Sequence, residues 1–263
     1  MRLTPVGFGL MLGLAAAPVA AQRPAGEPSL QALLEAEDSR ARSPEGLEPL
    51  FRGLVSRDPA VASQAVRAIG RFERPSLLPR ILPLLADARP LVRFATAHAI
   101  GQIAQDTGAA SSAAPVLIDR VADEQDPMVL GALARSIGRL PYRSADRAQA
   151  AEAALAKLAA RLLPPSALVE VARGMEAFVR RGGSGVARQP EFVSRIRALA
   201  SYADEDGESA ARVRRAAVAA HEGTPHIEKL RDVLLTRFDR NLGTSLPVIW
   251  DEDLSGAFDD IHD

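Results

Sequence analysis

Six polar side chains are the places where this 263-residue sequence could do chemistry. On helical wheels Arg67 and Arg71, His98 and Gln102, and Arg135 and Arg139 fall opposite three apolar stripes,. Guanidinium groups offer paired donors to carboxylates, so on stacked helices these positions predict a basic strip suited to a protein or acidic-peptide partner. The competing explanation is local: Arg71 and Arg139 lie near helix ends, where a cation complements the helix dipole by roughly 0.3 kcal/mol or more.

Other constellations lead nowhere. His98, His221, His226 and His262 are scattered, with no ligand spacing between them, so no metal is expected,. Asp204-Glu205-Asp206-Gly207-Glu208 has some of the acidity of a calcium loop but lacks its alternating ligands and closing glutamate, and reads as a solvated turn that caps the next helix,. Gly182, Gly183 and Gly185 beside Arg180, Arg181 and Arg188 follow no strand, which removes phosphate-loop geometry. No serine sits in a nucleophile turn. With no cysteine, disulfides, thiolate metal sites, cysteine nucleophiles and a lipid-modified N-terminal cysteine are excluded,. No cofactor and no catalytic role are expected for this chain.

Composition narrows the partners and the packing. A net charge of −1 offers no general attraction for phosphate backbones, so nucleic acid is not expected as a partner,. Lys157 and Lys229 are the exceptions among the arginines, a bias that suits genome composition. Hydrophobic residues make up 47% and aromatic ones only 4%, which points to close-packed helices of Ala, Leu, Val and Ile,.

The strip must be positioned by repeats. Pro59-x-Val61, Pro90-x-Val92 and Pro127-x-Val129 precede Ile69-Gly70, Ile100-Gly101 and Ile137-Gly138 by one constant offset. Self-similarity on this scale predicts a solenoid whose units bury their apolar faces against one another. Each unit is a helical hairpin. Second-helix stripes are Val61, Ala65, Ala68, Ile69, Phe72; then Val92, Thr96, Ala99, Ile100, Ile103; then Val129, Leu133, Ser136, Ile137, Leu140,. First helices carry Leu47, Leu50, Phe51, Leu54 and Val55, then Leu77, Leu78, Ile81, Leu82 and Leu85, then Val116, Leu117 and Val121. Asp58-Pro59 is a cap followed by a first-turn proline. Pro83 is expected to kink its helix, and the recurring glycines ask for close helix approach, because each costs up to about 1 kcal/mol relative to alanine.

Beyond Tyr142 the copies decay. Asp146 to Leu163 and Pro165 to Val179 predict a fourth hairpin, Phe192 to Leu199 and Glu208 to His221 a fifth, and Thr224-Pro225 opens one more helix through Phe238. Upstream, Ser29 caps a helix with Leu30, Leu33 and Leu34 on one face. The N-terminus reads as an export signal: Met1-Arg2, an apolar run from Leu3 to Val19, and small residues suited to cleavage after Ala21,. An uncleaved anchor is the alternative, and it is the only membrane association expected. The resulting division is a signal peptide over 1–21, a linker and capping helix over 22–43, the solenoid over 44–240 and an acidic, poorly ordered tail over 241–263. That tail could meet a basic partner or the chain's own arginine strip.

The hairpins resemble HEAT repeats, in which a kinked first helix, an Asp-Pro turn and a second helix beginning Val-Arg and ending near a glycine recur. The closest versions stand at Asp58-Pro59 to Gly70, Pro90-Leu91-Val92-Arg93 to Gly101 and Asp126-Pro127 to Gly138, with Arg89 in place of one turn aspartate and Val-Arg kept together only at Val92-Arg93 and Val213-Arg214. The resemblance implies an all-α, right-handed solenoid of about five hairpins plus an N-terminal capping helix, with second helices lining a curved surface. It also implies a non-catalytic scaffold or adaptor, which the export signal would place in the bacterial cell envelope, periplasmic or extracellular. The alternative is the N-terminal accessory region of an exported enzyme such as a cyclophilin-type peptidyl-prolyl isomerase, with its catalytic domain outside this chain.

Overall fold

Side-chain caps and first-turn prolines start most of the helices. The structure, a computed structural model, describes residues 28–182, 188–202 and 207–222, and every regular element among them is helical. In chain order these are α1 (Leu30–Asp38), α2 (Pro44–Leu54), α3 (Pro59–Arg71), α4 (Leu78–Ile81), α5 (Pro90–Ile103), α6 (Thr107–Asp123), α7 (Pro127–Arg139), α8 (Ala145–Ala159), α9 (Pro165–Gly182), α10 (Pro190–Ala200) and α11 (Gly207–Glu222). Ser29 accepts from the Ala32 amide at 3.0 Å, Asp58 from Ala60 at 2.8 Å and Asp126 from Met128 at 3.0 Å. Each bond satisfies an amide that has no intrahelical acceptor. The expected signal peptide, the helix from Thr224, the acidic tail, Gly183 to Gly185 and Asp204 to Asp206 lie outside the described residues.

Arg89 departs from the repeat pattern and acquires another task. Asp87 accepts the Arg89 amide at 2.8 Å and receives its guanidinium as well, while that guanidinium donates onward to the carbonyls of Ser56 at 2.8 Å and Arg57 at 3.1 Å. The turn is thereby tied to the preceding one. Arg74 on the Ala41 carbonyl and Arg161 on those of Glu124 and Val121 make equivalent links along the array.

Pro83 does more than kink its helix. The segment from Pro75 to Ala86 is split into a 3-10 turn at Pro75–Leu77, the single turn α4 and a second 3-10 stretch at Leu82–Ala86. Pro75, Pro79 and Pro83 recur every fourth residue, and each lacks the donor the preceding turn requires, so the ladder fails repeatedly,.

Two layers result. α3, α5, α7, α9 and α11 stack on one another, while α2, the Pro75–Ala86 segment, α6, α8 and α10 cover them on the other side, and α1 packs on α2 and α3. The substantial contacts join neighbours only, as a solenoid requires,. Val61, Val92 and Val129 are fully buried, together with Ile69, Ile100 and Ile137. Four expected core positions are not: Leu30, Leu34, Val55 and Val116 are exposed, Val55 by 80%. Among the described elements α1 packs on α2 and α3 alone, and it buries Leu33 and Ala36. Val55 lies just past α2, where the chain turns away from the core.

The repeated glycines sit where second helices cross. A methyl on Gly70 would lie 2.8 Å from Cβ of Ala99, and one on Gly101 would lie 2.8 Å from Cβ of Ser136. At the next crossing two glycines meet: a methyl on Gly138 would run into the backbone of Gly174, 2.8 Å from its Cα, and one on Gly174 into the carbonyl of Ala134. The array therefore continues at full intimacy into the fourth unit, where the sequence repeat had faded. Ser136 adds a buried bond across the second crossing, donating to the Ala97 carbonyl at 2.7 Å.

Candidate functional site

The stacked second helices bring most of the expected strip together. α3, α5, α7 and α9 hold their outward faces side by side because backbone-distance crossings leave little room for rotation or slippage,. His98 of α5 lies within electrostatic reach of Arg67 of α3, Arg135 and Arg139 of α7, and Glu170 of α9. Its ring packs edge-on against Phe94, centroids 4.7 Å apart. Partial burial lowers the His98 pKa, Glu170 opposes that shift, and the three arginines reinforce it, so the ring is neutral at pH 7,. Gln102 lies over Gly70, near enough that a methyl there would clash with its side-chain oxygen.

The six residues are not equivalent donors. Arg71 is held by Glu37 of α1, whose carboxylate also accepts from Gln64 at 3.2 Å. Arg135 lies 3.6 Å from Glu170, which is shared with Arg173 at 2.8 Å. Among the described residues no carboxylate lies within ion-pair distance of Arg67 or Arg139. Arg139 is half-buried, and burial followed by the nearby Arg135 and Arg181 pushes its pKa below the ordinary guanidinium range, with Glu73 opposing. A desolvated guanidinium among like charges is poised for an incoming anion.

Several members of this face escaped the sequence reading. Glu37, Glu170, Arg173 and Arg181 all belong to it, the last donating to Gln105 at 2.6 Å. Arg173 immediately precedes Gly174, the partner of Gly138, and that glycine was the available signal that α9 continues the column. Glu37 lies 34 residues from Arg71 on a helix outside the repeats, and no spacing could have paired them.

A separate ionic cluster lies at the turns. Glu124, 1% exposed, accepts from Arg93 at 2.7 and 2.8 Å, from Arg120 at 2.9 Å and from the amides of Gln125 and Asp126 at 3.0 and 2.9 Å. All of its lone pairs are engaged, which makes it a structural tie between α5, α6 and α7. No cluster of three or more potential metal-binding side chains occurs among the described residues, and none of their helices is long and apolar enough to cross a membrane.

Residues 47–138 match the family model described as HEAT repeats. No curated protein matches the sequence. Among solved structures, the complex of CpcE and CpcF of phycocyanin lyase from Nostoc sp. PCC7120 is similar, with 20% identity, a TM-score of 0.51, and 66% of this chain and 99% of that chain covered. An engineered protein has 19% identity and a TM-score of 0.42, covering 74% of this chain and 91% of that one. Human deoxyhypusine hydroxylase in complex with glycerol has 13% identity and a TM-score of 0.31, covering 73% and 89%. The first of these likenesses is one of fold, and the other two are too distant to carry an argument.

Proposed function

We propose that this chain, an all-α solenoid whose residues 47–138 match the HEAT-repeat model, is a non-catalytic docking scaffold of the bacterial cell envelope that receives an acidic stretch of a partner protein on its second helices. The export-like N-terminal sequence supports the compartment,. The observation that carries the docking face is the pair Arg67 and Arg139, flanking neutral His98 without a carboxylate partner among the described residues. Arg135 and Arg173 share one glutamate between them, so a further carboxylate completes their coordination as well,.

The test is binding of fluorescein-labelled decaglutamate to the intact chain at low salt. Arg67→Glu with Arg139→Glu should weaken it by about tenfold or more, equivalent to at least ~1.4 kcal/mol, with unchanged far-ultraviolet circular dichroism. Unchanged affinity in a folded double variant would remove the assignment. The pair avoids Arg71, since a glutamate there would face Glu37 and confuse folding with binding.

A further inference from the structure

The arginine face does not end at α7. Between α9 and α11 lies a groove of about 370 Å³ lined by Arg173, Glu176, Arg212, Arg215, Ala216 and Ala219. Arg173 is paired with Glu170 and Arg212 with Glu208, while no ion pair engages Arg215 among the described residues. The groove has alanines between three guanidinium groups, and its one carboxylate, Glu176, is already paired with Arg180 at 3.4 Å. Such a trough suits an aromatic ring, which can lie on the alanines and stack against arginine, followed by carboxylates that engage the remaining donors.

One segment of this chain has that chemistry in that order. Val248-Ile249-Trp250 runs directly into Asp251-Glu252-Asp253, and Trp250 is the single tryptophan of the sequence. Residues 241–263 contain six carboxylate side chains and neither lysine nor arginine. We propose that Trp250 and Asp251-Glu252-Asp253 dock in cis in the α9/α11 groove, indole over Ala216 and Ala219, carboxylates on Arg173, Arg212 and Arg215. This rests on reading the arginine face as a dock for acidic peptide, and it makes the chain its own competitor for that face.

Reach is ample. Trp250 lies 28 residues beyond Glu222, and even if Thr224 to Phe238 is helical at about 1.5 Å per residue, the remaining residues can span up to about 3.3 Å each. The groove residues lie within the last eleven positions of α11, a distance of roughly 16 Å along the helix. Arg173 belongs to both sites, so an external acidic ligand that engages Arg173 competes with the segment there, and partner binding and tail release are linked through that residue,.

Trp250 reports its own docking in the full chain. At low salt its emission should be blue-shifted and its quenching by acrylamide several-fold slower than that of free N-acetyltryptophanamide. In 1 M salt, where the screening length is about 3 Å, protection should be lost. Arg173→Glu with Arg215→Glu should release Trp250 while circular dichroism is unchanged, and Arg173→Gln with Arg215→Gln serves if the reversal disturbs folding. Adding Asp251→Arg and Asp253→Arg to the reversed face should restore protection. A freely quenched Trp250 in the wild-type chain, or protection that survives loss of both arginines, overturns the proposal; protection that grows with protein concentration assigns the contact to a second copy and overturns the cis arrangement. Decaglutamate separates this from the docking function. If it binds while Trp250 is free, the cis contact fails and the scaffold reading stands. If Trp250 is protected but decaglutamate fails to bind even the Asp251→Arg, Asp253→Arg chain, the cis contact stands and the docking function fails.

Discussion

Glu124 shows how much one buried carboxylate can hold. Burial alone would raise its pKa, but donation from Arg93, the Asp126 amide, Arg120 and the Gln125 amide outweighs that cost and brings it from 4.5 to about 2. A carboxylate depressed on folding stabilises the native state fully above its unfolded pKa, and this contribution is lost as pH falls from about 4.5 through about 2,. The shift corresponds to a contribution on the order of 3 kcal/mol. Glu124→Gln should therefore lower stability at pH 7 by roughly 2–4 kcal/mol, because two guanidinium groups lose their anion. Urea denaturation at pH 7 and pH 3 checks this, and the variant should show a much smaller loss between the two. The sequence disclosed Arg93 as the arginine of a Val-Arg pair but not its partner, since a contact across 31 residues depends on how the turns stack. His98 behaves in the opposite compartment of the fold in a related way: with its pKa lowered, its neutral form favours the native state fully above pH 6.5 and progressively less as pH falls below that value,.

At the scale of the element, glycine at the crossings decides whether second helices can meet. Alanine normally gains about 1 kcal/mol over glycine inside a helix. At Gly138 and Gly174 that gain is overwhelmed, because the new methyl meets backbone rather than a side chain that could rotate away. Gly138→Ala should destabilise the chain by roughly 2–4 kcal/mol through overpacking and forced separation of α7 and α9. Gly207→Ala is the control: among the described residues nothing lies within 4 Å of its methyl, and a change under about 1 kcal/mol is expected,. Thermal denaturation of the two variants makes the comparison. Periodicity was sufficient to recognise the glycines at 70, 101 and 138 as one repeated device. Gly174 was missed because its surroundings no longer resemble the earlier copies, although its neighbour Gly138 does. The Pro75, Pro79 and Pro83 series was likewise underestimated when a single proline was considered in isolation, since the helix is lost through repetition.

Across the described elements, the substantial contacts join neighbours, which makes stability a local property,. Gly174→Ala should raise amide hydrogen exchange in α9 and α11 while α3 keeps its protection, and equal loss in all helices would show that the array unfolds as one unit instead. The amino-acid sequence by itself determined the helical hairpins, their caps and the buried valine and isoleucine stripes, because each of these depends on residues a few positions apart and recurs with the repeat. Only the tertiary structure decided which of the strip's arginines retain free valence. Arg71 is taken up by Glu37, Arg135 and Arg173 divide Glu170, and Arg67 and Arg139, beside His98, have no carboxylate partner among the described residues. Coulombic pairing depends on distance in space, and that distance is set by how one hairpin leans on the next, which no single stretch of sequence encodes.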